Sequence, residues 1–283
     1  MKCIPAFFHP TTILILDDDT VFSNLLADQL PRRNRYEVLE RHSQIQEILA
    51  SDCLPGTSPE TVCSNSRQGD ASHYSTISTA VVDYHLGEYD GVEICRTTKN
   101  AFLKKIVISN LLSIEDAISS QNRRHFDFFA SKVSAEFVDE LAELVERSKF
   151  EYFLSLSTLM EGFSKRENPL TDPAYCAFFL DVMAEKGAVE YYTRDCSFGS
   201  AVLIDENKKE TQVFLSTDAE LSALLDSSFA DAAPKHVIDQ IVRRERMPCF
   251  VGQIPYGDSW ENKMRPIRAI DGRQRYYVAT CDD

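Results

Sequence analysis

Four short apolar runs, each closing on a polar residue, constrain this chain more than anything else in it. They are Ile13-Leu14-Ile15-Leu16 before Asp17-Asp18-Asp19, Ala80-Val81-Val82 before Asp83, Ile106-Val107-Ile108 before Ser109, and Phe128-Phe129-Ala130-Ser131 before Lys132. Runs of this length, apolar and bounded by polar or turn residues, read as strands. After the first run, Val21, Phe22, Leu25, Leu26 and Leu30 recur at helical spacing, and Pro31 stops them. Residues 36–41 read as another strand and 45–50 as a short helix. Alternation of this kind predicts a doubly wound α/β domain, a five-stranded parallel sheet with helices on both faces. The carboxyl ends of such strands share one edge, and ligands bind there. Two or three aspartates, a hydroxyl and a lysine would then converge from four distant points. That set can hold a divalent cation and a phosphoryl group together.

The rhythm breaks at residues 51–78, where Ser, Thr, Gly, Asn, Asp and Pro crowd together. This stretch reads as a long surface loop inserted before the third strand. The alternation resumes with a helix at 91–99, a strand at 105–109, a helix at 113–120 and a fifth strand at 126–130. From 134 to 163, Phe137, Leu141, Leu144, Val145, Phe150, Phe153, Leu156, Met160 and Phe163 recur mostly every three or four residues. This predicts one long helix, or two with a break across Arg147-Ser148-Lys149. The stripe is core where it packs on the first domain, and beyond it a linker or a dimer seam.

The rest has a different grammar. A polar turn region at 165–173 leads to an amphipathic helix at 174–186 that Gly187 ends. Runs at 189–193, 201–204 and 211–215 predict an antiparallel meander, with a turn at 195–199. Helices follow at 218–229, capped by Asp218, and at 234–246, with Pro234 at its start. A last strand is expected at 276–280. Segregated strands and helices make this an α+β domain. Tyr191, Tyr192, Phe214, Trp260, Tyr276 and Tyr277 are expected as its core and rim aromatics. The predicted boundaries are 1–133, a linker or dimerisation helix at 134–165, and 166–283.

In order and spacing, the four polar strand ends resemble the receiver domain of two-component response regulators. The resemblance covers a little under half of the chain. It implies that Asp17 and Asp18 hold Mg²⁺, with Asp19 a common neighbour. It implies that Asp83 is the phosphoacceptor and that His85 lends a backbone carbonyl to the metal. Ser109 and Lys132 would contact the phosphoryl group, and Phe129, three residues before the lysine, would move with Ser109 as the switch. Implied partners are a sensor histidine kinase or a phosphotransfer protein, with no enzyme activity beyond the protein's own phosphorylation and dephosphorylation. The chain departs from the family pattern at Gly87 and Val133, where proline is usual. Without proline, no cis peptide is expected after Lys132, since it would cost about 3 kcal/mol.

Bulk properties narrow the output. The formal charge is −14; residues 1–133 carry 13 basic and 17 acidic side chains, so −4, and the remainder carries 17 and 27, so −10. An acidic second half speaks against a phosphate-backbone partner. No apolar run reaches the ~18 residues of a membrane span, and Pro10 and Asp17 interrupt the apolar start before a signal-peptide core forms. A cytoplasmic protein is expected, with the cysteines at 3, 53, 63, 95, 176, 196, 249 and 281 reduced. Cys53 and Cys63 bracket a loop and could pair. His236 is the only histidine in the second half, which leaves little for a hydrolase triad. The expected output is therefore a change of protein partner or of dimer state, through 134–163 in the latter case. The alternatives are an atypical DNA-binding regulator using Arg243, Arg244 and Arg246, a degenerate receiver that acts without phosphate, and an output unit that is an enzyme of a type its sequence does not name.

Overall fold

The computed structural model describes residues 3–39, 76–98, 100–110, 125–194, 199–250 and 257–282. The helices expected at 45–50 and 113–120, most of the 51–78 insertion, the turn at 195–198, and Cys53, Cys63 and Cys196 lie outside the described residues. The chain divides into two compact units, His9–Met160 and Met1–Phe8 with Glu161–Asp283. The first eight residues, strand β1 (Phe7–Phe8) included, therefore belong with the C-terminal half.

The first unit contains β2 (Thr12–Leu16), α1 (Thr20–Gln29), β3 (Arg35–Leu39), β4 (Ile77–Asp83), β5 (His85–Leu86), β6 (Tyr89–Asp90), α2 (Gly91–Thr97), β7 (Lys104–Ser109), β8 (Phe128–Ser131) and α3 (Phe137–Ser157). Five of the strands form a parallel sheet in the order β3-β2-β4-β7-β8. Alternate residues of each strand point to opposite faces. Ile13, Ile15, Val81, Ile106 and Ile108 pack with Leu26 and Leu30 of α1 and with Phe137, Leu141 and Val145 of α3. Leu14, Leu16, Val82 and Val107 pack with Val92, Ile94 and Cys95 of α2. Both faces are covered, which is why the strands read as unbroken apolar runs.

Three expectations change in detail. Ile77 and Ser78 are not loop: they open β4, where Ile77 pairs with Thr12 and the buried Ser78 hydroxyl lies 2.7 Å from that of Thr11. Val21 and Leu25 are not core: they share the outer face of α1 and are 70% and 58% exposed. The 134–163 stripe forms one helix over Phe137–Ser157, without a break at 147–149. Its first turns are committed to the core of the first unit, so Phe137, Leu141 and Val145 are not free to form a seam. The expected break point is instead an anchor. Buried Lys149 donates to Asn34 Oδ1 at 3.0 Å and pairs with Glu146 Oε2 at 3.1 Å, while Glu146 Oε1 takes Arg33 Nε at 3.0 Å.

The second unit contains β1, α4 (Pro173–Lys186), β9 (Ala188–Thr193), β10 (Ala201–Asp205), β11 (Glu210–Thr217), α5 (Asp218–Leu225), α6 (Ser228–Ala232), α7 (Lys235–Val242), β12 (Arg246–Pro248), β13 (Met264–Pro266), β14 (Arg268–Asp271) and β15 (Arg275–Asp282). Its main sheet is antiparallel, in the order β1-β9-β10-β11-β15-β14. Tyr277 and Ala279 turn to one face, with Leu221, Phe229, Val237, Ile241 and Trp260. On the other, Tyr276 meets Tyr175 of α4 at 5.8 Å between ring centroids. All six aromatics named above are buried. The expected helix at 218–229 is two: Thr217, not Asp218, caps α5 in a reciprocal capping box with Glu220, and Ser227 caps α6.

Asp172 ties this unit together. It is buried, and its Oδ1 caps α4 through the Ala174 N–H at 3.0 Å. Its Oδ2 accepts from the Arg273 N–H in the β14–β15 turn and from the Tyr276 hydroxyl at 3.1 Å. Asp172→Ala removes a cap and strands buried donors, with an expected loss of about 2–4 kcal/mol. Trp260, the only tryptophan in the chain, is buried in this unit, so its fluorescence reads the unfolding directly. A urea midpoint unchanged from wild type would refute the role given to Asp172.

Candidate functional site

Strand register builds the site. Leu16 pairs with Val82, so Asp17 and Asp83 emerge side by side at the carboxyl ends of β2 and β4. Asp83 pairs with Ile108, and Ser109 pairs with Ser131, which puts Ser109 and Lys132 on the same edge. The Ser109 carbonyl accepts the Lys132 N–H at 2.8 Å and so fixes the start of the lysine's loop.

Asp17, Asp18 and Asp83 come together, with one carboxylate oxygen from each lying within 4.8 Å of the others. The Asp17 side chain is 1% exposed and that of Asp83 11%, whereas Asp18 faces solvent. Lys132 Nζ reaches Asp17 Oδ2 at 2.8 Å and Asp83 Oδ1 at 3.0 Å. One ammonium against three carboxylates leaves two negative charges in a half-closed pocket. Hard oxygen donors with that residual charge, open on the Asp18 side, fit a divalent cation such as Mg²⁺. Burial holds the Asp83 carboxyl above the ordinary range, against the opposing pull of the Lys132 ammonium.

Asp19 does a different job from its neighbours. Its N–H donates to Asp17 Oδ1 at 2.9 Å, and its own Oδ1 accepts the Phe22 N–H at 3.0 Å as the cap of α1. The loop beyond the acceptor closes tightly. Tyr84 N–H donates to the Ile108 carbonyl at 2.8 Å, and Gly91 N–H to the Tyr84 carbonyl at 2.9 Å. A Cβ on Gly91 would stand 2.0 Å from the Asp83 carbonyl oxygen, so only glycine fits there. Between them β5 and β6 pair as a miniature hairpin, with Gly87 at φ +61° in its turn. A proline at position 87, as the family often has nearby, could not take that angle.

The other expected residues fall as follows. His85 is exposed on β5, and its ring lies edge-on to Tyr84 at 4.7 Å. Ser109 is buried, and Phe129 is half-buried against the face that includes Leu14 and Val107. The Lys132–Val133 bond is trans. Phe22 was expected only as helix core. It does pack against that core, and its ring also lies under the lysine, with Lys132 Nζ 4.7 Å from the ring centroid. Its place five residues after Asp17, in the first turn of α1, is the only signal the sequence carried.

Among the described residues, no helix is long and apolar enough to cross a membrane. No family model and no curated protein matches the sequence. Among solved structures, the response regulator LqsR of Legionella pneumophila matches over 99% of this chain and 89% of its own, with 25% sequence identity and a TM-score of 0.83. A CheY-like receiver domain protein from Methanospirillum hungatei covers 50% of this chain and 96% of its own, at 18% identity and a TM-score of 0.38. An adenylate cyclase from Rhodopirellula baltica covers 53% and 94%, at 14% identity and a TM-score of 0.40. Only the first of the three bears on architecture. In its described residues the chain shares the architecture of that response regulator, a parallel receiver-like sheet and an α+β unit with an antiparallel one.

Proposed function

We propose that this chain is the response regulator of a two-component phosphorelay and that Asp83 is its phosphoryl acceptor. The observation that carries this reading is the meeting of Asp17, Asp18, Asp83 and Lys132 at the carboxyl edge of a parallel sheet. The full-length likeness to a response regulator supports it. A carboxylate oxygen of Asp83 attacks the phosphorus of a phosphohistidine on a sensor kinase or phosphotransfer protein. The P–N bond breaks, and the imidazole keeps its electron pair and takes up a proton. Positioning and charge neutralisation do most of the work in such a transfer. Lys132 offers its point charge to the phosphoryl oxygens, and Ser109 offers its hydroxyl. Asp17, Asp18, Asp83 and the His85 carbonyl would hold Mg²⁺, which supplies further neutralisation of the transferring group.

Output follows from the same groups. A bond from Ser109 to the new phosphate pulls on the end of β7, and Phe129 repacks with it. The α+β unit then changes its protein partner or its dimer state. A DNA-binding output is less well supported. Arg244 pairs with Asp218 at 3.1 Å and donates to the Ile241 carbonyl at 2.8 Å, and Arg246 donates to the Met264 carbonyl at 2.7 Å. Two of the three candidate arginines are thus engaged within the fold.

Intact-mass spectrometry after incubation with acetyl phosphate and Mg²⁺ tests the reading. The expected result is one added phosphoryl group. If no adduct forms and BeF₃⁻ does not bind, the unit is a fixed interaction domain and the mechanism is wrong.

A further inference from the structure

Lys132 is held on three sides, and one of them is not acidic. Its Nζ lies 2.8 Å from Asp17, 3.0 Å from Asp83 and 4.7 Å from the centroid of the Phe22 ring. An ammonium within about 6 Å of an aromatic face is drawn to the ring's negative face, and more strongly where water is scarce. Water is scarce here, since only 15% of the Lys132 side chain is exposed. The ring is itself held in place. The Phe22 N–H is fixed by Asp19, whose own N–H is fixed by Asp17. The ring stacks on Phe137 with centroids 6.2 Å apart and planes at 28°. Phe137 is buried and is the first residue of α3.

We propose that Phe22 is a positioning residue for phosphoryl transfer: its ring holds the Lys132 ammonium in the pocket and ties it to the first turn of α3. This rests on Asp83 being the acceptor. Two carboxylates alone would let a four-carbon side chain settle on either one. When Asp83 gains a phosphoryl group, the ammonium must give up a carboxylate oxygen and meet phosphoryl oxygens instead. A ring that grips it through that exchange keeps the charge where the transfer needs it. The stack on Phe137 adds a consequence, because a shift of the ammonium is felt at the helix that leads out of the receiver.

The test uses the full chain with Phe22→Leu and Phe22→Tyr, each with Lys132 intact and with Lys132→Met. Two quantities are read: the initial rate of phosphoryl uptake from acetyl phosphate, and the urea unfolding of the metal-free receiver. Phe22→Leu fills the space without the quadrupole and is expected to slow uptake about three- to tenfold, while Phe22→Tyr stays within about twofold of wild type. In the Lys132→Met background, Phe22→Leu should have no further effect on the rate, and the unfolding cycle should be non-additive. Equal losses for Leu and Tyr, or an additive unfolding cycle, would overturn the positioning role while leaving Asp83 as acceptor. A wild-type chain that takes up no phosphoryl, with the unfolding cycle still coupled, would overturn the acceptor reading and the positioning role with it.

Discussion

Asp83→Asn will take up no phosphoryl group, and it will be the more stable protein at neutral pH. The first half follows from chemistry, because an amide oxygen is no substitute for a carboxylate nucleophile. The second half follows from burial. The Asp83 side chain is 11% exposed, and its pKa stands above the ordinary carboxylate value because desolvation outweighs the Lys132 ion pair. A carboxyl raised in the folded state contributes stability that is fully present below its unfolded pKa. That contribution is lost as pH rises through the folded value. At pH 7 the wild type therefore carries an ionised group that the fold disfavours, and asparagine removes it. Lys132 retains Asp17 at 2.8 Å, so the ammonium is not orphaned by the change. Urea titrations of both proteins without metal should show the variant ahead at pH 7, with the gap closing as pH falls towards about 4. An adduct on the variant would move the acceptor to another residue. A gap that widens on acidification would reverse the sign of the electrostatic account.

The second large effect belongs to a residue with no side chain. Gly91→Ala puts a methyl carbon 2.0 Å from the Asp83 carbonyl oxygen and 3.1 Å from Val82 Cγ1. The first of these is backbone in a buried strand and cannot swing aside. Relief must come from moving the start of α2, where Asp90 Oδ1 caps the helix through the Val92 N–H at 2.8 Å, or from displacing the end of β4. Overpacking of this kind costs about 1–3 kcal/mol and sometimes more, and backbone contact puts this case at the upper end. The same displacement moves Asp83, the proposed acceptor. Phosphoryl uptake should fall at least about tenfold, since a 1 Å misplacement can cost about a hundredfold. Thermal unfolding and the rate of uptake measure the two losses separately. A variant with the wild-type melting temperature and rate would show that the loop has slack the structure does not suggest.

The receiver was legible because its information is local and directional. Each of Ile13–Leu16, Ala80–Val82 and Ile106–Ile108 announces a strand by itself, and the parallel arrangement then aligns their polar ends. That Asp17, Asp83, Ser109 and Lys132 share one sheet edge could therefore be read without knowing a single contact. What escaped notice depended on geometry between elements. That Phe22 reaches the lysine as well as the core is set by the exact rotation of α1. That Gly91 abuts Asp83 is set by a hairpin of two-residue strands. In the second unit, Arg268-Ala269-Ile270-Asp271 forms the edge strand β14, mostly exposed, so it carries no alternating apolar signal. The division of 218–229 into α5 and α6 falls at Asp226 and Ser227, with neither glycine nor proline to mark it. Strand β1 is two residues long, and its partners Tyr191 and Tyr192 lie far along the chain.

That last pairing bears on how the protein is made. Ile4, Ala6 and Phe7 are fully or almost fully buried, and the Tyr191 hydroxyl donates to the Pro5 carbonyl at 3.0 Å. On a ribosome these residues emerge ahead of His9–Met160, yet β9 follows only after the whole of that unit has been synthesised. At a usual rate of about 5–20 residues per second, the apolar segment waits on the order of ten seconds or more without its sheet. The receiver can complete its fold in that interval; the second unit cannot begin to close its edge. The nascent chain thus carries an unpaired hydrophobic strand ahead of the receiver while that unit is made, and chaperone capture or misassociation should concentrate there.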